Sequence, residues 1–548
     1  MPTNGENPFS VGAYVTGNKT VGIRDYALDQ NPLNYSDLGF DTPGPEVHAD
    51  GEVWNGTNFD IRQALIDKYN GSFPASDAAL QKRCGAGDLP GDQCPGNRRW
   101  IQIMYDAWLL MQSGVSMLDA RDAYLAADMM RFGGANQTEL WHAFARRGMG
   151  AGASSNGTSD NDPKPSFESP NESNATVTFN VTAQNGGNVP VKAKIFVGKY
   201  EARVTPIADT DPGTPLSATA KFVPGTYDFV AEAPGYGLFR FSRTLSAVPT
   251  TLDVAMPTNW ASSTQGASAS GDGSAQGNLI DDTEGTQWSS TTAPVAGKQV
   301  TVQLGGGAHT INRVQVSAML QAGQNRFSAL RKFEIWTCTA SVANGNCTTG
   351  GFANVFTSAD DAFPGVAPRP VAPNLIMRSF TLPSPVSATH VRLVVDTSQC
   401  TGGPAYAGEQ DSDPTNSTDC ATQSSSSGQV RAAELEVFGS AGAVGQPDLQ
   451  VTQITLTQIK EKSYRVTATV ANTGDADAGA SQTEFRVDGK LLALVGTPAI
   501  PAGGSTQVSS SWTASKGSHT FVVTADQQNQ VNESNETNNS ATKTVAIK

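Results

Sequence analysis

"VHADGEVWNGTNFDIRQALID", residues 47–67, places one of the chain's five histidines, His48, just ahead of a segment with helical periodicity. Phe59, Ile61, Leu65, Ile66 and Tyr69 recur at a spacing that sets them roughly on one face of an α-helix. Three more segments read the same way. "RRWIQIMYDAWLLMQ" (98–112) carries an apolar stripe of Trp100, Ile101, Met104, Ala107, Trp108 and Met111. "SMLDARDAYLAADMMRFGG" (116–134) stops at a glycine pair, and "NQTELWHAFARRGMG" (136–150) opens on polar capping residues. Helical stripes of this kind are core, so residues 51–148 are expected to pack as a lobe.

Beyond the lobe the periodicity changes. "AGASSNGTSDNDPKPSFESPNES" (151–173) is polar, holds Gly and Pro, has no period and reads as a linker. After it come short alternating runs such as "ATVTFNVTA", "GTYDFVAEAPGYG", "RKFEIWTC", "RAAELEVFG", "YRVTATVANTG" and "HTFVVTAD". Separated by turn signals, they are material for β-sandwiches. The expected fold is multidomain: a mainly α-helical N-terminal lobe followed by three all-β sandwich domains. The expected division is a lobe at 1–152, a linker at 153–172, and β units at 173–257, 258–440 and 446–548.

A chain of 548 residues exceeds what one core can hold, which agrees with several domains. The formal charge is −14 and no Lys/Arg cluster interrupts it, so nothing marks a nucleic-acid partner. No apolar run reaches transmembrane length. The six cysteines fall into near pairs, Cys84/Cys94, Cys338/Cys347 and Cys400/Cys420. Short even spacings without a CxxC read as three local disulfides in an oxidising compartment rather than as zinc sites. "MPTNGENPFSVGAYV" has neither a basic n-region nor an apolar h-region. An extracellular protein whose signal peptide and first residues are missing is therefore expected.

Chemistry centres on His48. Zinc peptidases of the HExxH type take two histidines from one helix and a third ligand further on. The 548 residues contain no HExxH. His48 and Glu52 stand four apart and could share a helix face as a metal pair. The alternative is a helix-start histidine held by hydrogen bonds.

"GIRDYALDQNPLNYSDLGFDTPGPEVHADGEVW" and "LDARDAYLAADMMRFGGANQTELWHAFARRGMGAGA" resemble the C-terminal half of the fungalysin-type zinc metalloprotease catalytic domain, which is similar in fold to thermolysin. The resemblance covers residues 8–152. It implies that His48, in "EVHxxGEVW", is not a zinc ligand but donates a hydrogen bond to the tetrahedral intermediate. It implies that Arg24, in "GIRxY", holds the substrate's backbone carbonyl. Asp41, the nearest aspartate upstream of His48, is seven residues away, further than the aspartate that orients the histidine in thermolysin. The zinc-binding HExxH and the glutamate motif that follows it are expected upstream of Met1. Without that half, the apolar face around Trp54 and Trp108 is expected to be partly uncovered.

"NLIDDTEGTQWSS" (278–290), "RKFEIWT" and "RAAELEVFG" resemble the discoidin, or coagulation-factor C-type, module, a jelly roll that often binds carbohydrate or surface ligands. The resemblance implies a structural calcium held by Asp281, Thr286 and Glu434, with Thr283 standing where the family usually has an aspartate. "VPGTYDFVAEAPGYG" (223–237) resembles the carboxypeptidase-regulatory-like sandwich, a spacer. "DLQVTQITL" and "NQVNESNETNNSATKTV" resemble the bacterial cell-adhesion-related domain, CARDB, an immunoglobulin-like sandwich.

Together these imply the C-terminal portion of a secreted bacterial zinc metalloendopeptidase, inactive alone. Its partners would be protein or peptide substrates and a glycan or cell-surface ligand. The alternative is a non-catalytic extracellular adhesion or carbohydrate-binding protein with a relic protease lobe.

Overall fold

The structure, a computed structural model, describes residues 8–547 except 42–43, 46, 185–188, 202–203, 340–346, 348–349, 366–368, 403–419, 421–424, 440–446, 475–477, 502, 532 and 534. Residues 1–439 and 440–548 are two compact units.

Helices fill the N-terminal part. They are a single turn α1 (Ala13–Thr16), α2 (Val47–Tyr69), α3 (Ala78–Ala86), α4 (Gly96–Leu110), α5 (Met117–Phe132) and α6 (Gln137–Arg146). Local chemistry sets their ends. Ser116 and Asp119 form a capping box that starts α5, and Gly133 ends it at φ 62°. His48 lies inside the first turn of α2 rather than ahead of it. α3 has no buried residue, so no stripe announces it; Asp77 caps its start through the Leu80 N–H.

The face around Trp54 and Trp108, expected to be partly uncovered, divides between its two tryptophans. Trp54 is packed, edge-on to Tyr124 at 5.4 Å and stacked on Phe144 at 6.2 Å. Trp108 is 50% exposed, because α4 buries Ile103 and Ala107 instead. Tyr105, Leu109, Met129 and Met130 are exposed as well.

The first β unit has β1 (Ala175–Ala183), β2 (Lys194–Val197), β3 (Ala208–Asp209), β4 (Thr219–Phe222), β5 (Gly225–Ala233), β6 (Gly237–Leu245) and β7 (Thr250–Met256). They form two sheets, ordered β4-β1-β7 and β3-β2-β5-β6. Phe179, Phe222 and Phe229 lie in the core of this unit. The 153–172 stretch is tied down: Gly150 N–H donates to the Ser166 carbonyl at 2.7 Å, and Phe167 stacks on Phe222 in the same core.

The second β unit has β8 (Ser268–Gly271), β9 (Trp288–Ser290), β10 (Gln299–Gln303), β11 (His309–Ser317), β12 (Leu330–Cys338), β13 (Ala353–Thr357), β14 (Arg378–Ala388), β15 (His390–Ser398), β16 (Val430–Ala432) and β17 (Glu434–Gly439). A five-stranded sheet, β13-β12-β15-β10-β8, and a three-stranded one, β14-β11-β17, enclose its core, and β9 pairs β16. That core is continuous with the core of the helical lobe.

The 440–548 unit pairs β18 (Leu449–Lys460), β19 (Ser463–Asn472) and β22 (Ser505–Thr513) in one sheet. β20 (Ser481–Val487), β21 (Lys490–Thr497), β23 (Gly517–Thr524) and β24 (Ser540–Ile547) make the other, in the order β21-β20-β23-β24. Phe485, Trp512 and Phe521 fill the space between.

The cysteines pair as 84–94, 338–347 and 400–420. Cys84–Cys94 joins α3 to the turn before α4. Opening it by a Cys84→Ser, Cys94→Ser double substitution should cost about 3 kcal/mol on chain-entropy grounds. Chemical denaturation of the lobe reads this; an unchanged midpoint would mean that the bridge constrains nothing.

Candidate functional site

The Arg24 loop begins at a tight approach. Gly22 has φ +66°, and a Cβ there would stand 2.0 Å from the Val11 carbonyl oxygen. This accounts for the glycine of "GIR", and the Ile23 N–H donates to that same carbonyl at 2.8 Å. The loop then crosses α2. Asp25 and Tyr26 donate their backbone N–H groups to Glu52 Oε1 and Oε2 at 2.9 and 3.0 Å. The Asn31 side-chain amide donates to the Glu52 carbonyl at 2.7 Å.

Glu52 is buried, and both of its carboxylate oxygens are engaged in holding the loop. The His48–Glu52 spacing weighed above as a metal pair thus gains a different use. Glu52 anchors the loop, while His48, one turn earlier on α2, is exposed. Arg24 is half-buried, and its charge favours the ionised form of Glu52. One buried carboxylate therefore ties the loop bearing Arg24 to the helix bearing His48. Asp41 is buried too and accepts from Arg326 at 2.9 Å.

Burial dominates the electrostatics here. It pushes Asp25, Asp37 and Glu52 each up to about 8. For Asp25, burial and the neighbouring Asp41 charge outweigh the pull of Arg369. An unfolded chain releases these protons near pH 4, whereas the folded lobe keeps them to about pH 8. The folded state therefore binds more protons than the unfolded state between those limits. Its stability should fall as pH rises from about 4 to about 8 and level off above that. Denaturant unfolding of the lobe at pH 5 and pH 8 tests the sign; a lobe that gains stability toward pH 8 would refute it.

The second candidate is in the jelly roll. Thr286 donates its hydroxyl to Asp281 Oδ2 at 2.7 Å. Glu434 is fully buried, and no N–H or hydroxyl donor meets either of its carboxylate oxygens or Asp281 Oδ1; the two carboxyl groups face each other within hydrogen-bond reach. Burial first, then the charges of Glu436, Asp282 and Asp281, pushes Glu434 well up. Buried acceptors without donors carry a large desolvation cost. Oxygen ligands of this kind suit a hard cation, which also accepts backbone carbonyls.

The departure at Thr283 has a structural use. Its hydroxyl donates to Glu201 Oε1 of the first β unit at 2.8 Å and accepts the Gly285 N–H at 2.9 Å. Next to it, Asp282, at φ 65°, accepts the Gly235 N–H at 2.7 Å.

Among the described residues, no group of three or more His, Cys, Asp or Glu side chains is placed to hold a metal. None of the described large hydrophobic side chains of 258–439 is fully exposed; Trp260, Trp336 and Phe352 are half-buried. Among the described residues, no helix is long and apolar enough to cross a membrane.

Residues 2–153 match the family described as fungalysin metallopeptidase (M36), and residues 446–543 match CARDB. Over 152 residues the chain is 34% identical to the extracellular metalloproteinase mep of Aspergillus niger, covering 26% of this chain and 22% of that one. Over 155 residues it is 32% identical to the extracellular metalloproteinase MEP of Pyricularia oryzae, covering 27% and 22%. The chain thus spans about a fifth of the length of these curated relatives.

Among solved structures, the CARDB domain of a Pyrococcus furiosus protein in complex with di-metal ions is 25% identical, covers 18% of this chain and 88% of that one, and has a TM-score of 0.17. The family 32 carbohydrate-binding module of Clostridium perfringens NanJ in complex with galactose is 17% identical, covers 31% and 91%, and has a TM-score of 0.19. The helical lobe is protease-related, and sheet-rich units follow it.

Proposed function

We propose that residues 1–152 are the substrate-holding half of an extracellular zinc metalloendopeptidase acting on proteins or peptides. One observation carries this reading: Glu52 fastens the loop of Arg24 to the helix of His48. Arg24 would hold a backbone carbonyl of the substrate. His48 would donate a hydrogen bond to the oxyanion that forms when that peptide bond is attacked.

Zinc is implied by the family, but the residues present do not fit it. The sequence has no HExxH, and the described residues hold no three-ligand set. The lobe therefore supplies binding and oxyanion stabilisation, and the metal's ligands must come from elsewhere. The purified chain should show no chelator-sensitive caseinolysis and no stoichiometric zinc. Either activity or one bound equivalent of zinc would overturn this division of labour. The same lack of zinc ligands favours the competing reading, a non-catalytic adhesion or carbohydrate-binding protein with a relic lobe. A blocked dipeptide amide that binds the chain and loses affinity in Arg24→Ala decides for the protease lobe. Retention on immobilised galactose polymers without peptide binding decides for the adhesin.

A calcium ion at Asp281, Thr286 and Glu434 is the second proposal, supported by two facing buried carboxyl groups with three oxygens that no N–H or hydroxyl donor meets. Calcium at roughly a hundred times its Kd should stabilise the 1–439 unit by about 2.7 kcal/mol. Glu434→Gln should abolish the gain. An unfolding midpoint that ignores both calcium and chelator would sink it.

A further inference from the structure

The loop carrying Arg24 has a second support, and it comes from the jelly roll more than 300 residues further along the chain. Arg369 donates to the Ile23 carbonyl at 3.1 Å, and its other terminal nitrogen lies 3.2 Å from Asp25 Oδ1. Residues 23 and 25, one on each side of Arg24, thus face a single guanidinium, the first through a hydrogen bond and the second through a close charge contact outside hydrogen-bond geometry. The Ala372 N–H donates to Asp25 Oδ2 at 3.2 Å. Arg326 pairs with Asp41 at 2.9 Å, reaches Asp25 Oδ1 at 3.9 Å, and donates to the Pro370 carbonyl at 3.2 Å, which braces the Arg369 segment. Asp25 and Asp41 are 1% and 2% exposed, so the carboxyl end of the cluster is shielded from water.

A planar guanidinium can span two acceptors in fixed geometry, whereas an ammonium presents one point charge. Removing the guanidinium leaves the Ile23 carbonyl without its donor and the buried Asp25 and Asp41 carboxyls with one cation fewer beside them.

We propose that Arg369 is a positioning residue for Arg24, and that with Arg326 it makes the jelly roll a structural part of the peptide-binding site rather than a detachable accessory. The proposal rests on the reading of Arg24 as the carbonyl clamp. Glu52 holds the loop from the helical side and Arg369 from the β side. The Arg24 side chain therefore leaves a backbone fixed on both flanks, which lowers the ordering cost of binding a substrate carbonyl.

The test uses the 548-residue chain, read by amide hydrogen exchange and by binding of a blocked dipeptide amide. In Arg369→Ala, the 21–28 segment should exchange about tenfold faster or more, while α5 and the 390–398 strand stay protected. Peptide affinity should fall with it. Arg369→Lys should recover part of the protection and less of the affinity, since it cannot bridge both acceptors. Arg24→Ala should lose affinity with the loop still protected. Unchanged exchange at 21–28 in both Arg369→Ala and Arg326→Ala would overturn the proposal. So would a loosened loop that binds peptide as tightly as before, when Arg24→Ala does not. If Arg24→Ala binds peptide normally, the functional reading of Arg24 fails, while faster exchange in Arg369→Ala still upholds the brace on the loop.

Discussion

Glu52→Ala should destabilise the helical lobe by about 3–5 kcal/mol, more than a typical single substitution. The side chain is buried and accepts from two backbone N–H groups, of Asp25 and Tyr26. Each donor left unsatisfied costs about 1–3 kcal/mol, and the vacated volume adds to this. Above about pH 8, where the carboxyl is ionised, Glu52→Gln keeps the volume but turns one acceptor into a donor facing an N–H, so about half of the loss should remain. Denaturant-dependent amide exchange of α2 measures both. A loss below about 1 kcal/mol in the alanine variant would show that the loop is held mainly from the β side.

His48→Ala carries the largest expected effect on chemistry. In a form of the protein that supplies the metal-bearing half, the substitution should lower kcat by about 10²–10³-fold, the scale seen when one oxyanion donor is lost. KM should change little, because the bond to the developing charge is made only in the transition state. His48 is exposed at the start of α2, so the lobe itself should keep its stability. A variant whose KM rises while kcat holds would make His48 a ground-state contact and overturn the assignment.

Parts of this molecule were open to reading from residues alone, because their causes are local. The 3.6-residue period, the Ser116–Asp119 box and Gly133 lie within the segment that they shape. So do the alternating runs that became strands and the cysteines that close short loops. Where local signals were weak or ambiguous, the reading went astray. α3 has no buried residue and so no stripe to find, and the stripe assigned to α4 left out Ile103, which the fold buries completely.

The candidate site divides along the same line. His48 and Arg24 stand in short motifs, so their positions could be named from the sequence. What Glu52 does could not, since its partners lie 26 and 27 residues earlier and are backbone groups. The grip of Arg369 on either side of Arg24 is further still from view: the pairing spans 344 residues and follows from a helical core and a β core merging into one. Periodicity and capping are properties of neighbouring residues. Which buried carboxylate meets which arginine is settled only when separate elements exclude water together, and that was for the tertiary structure to decide.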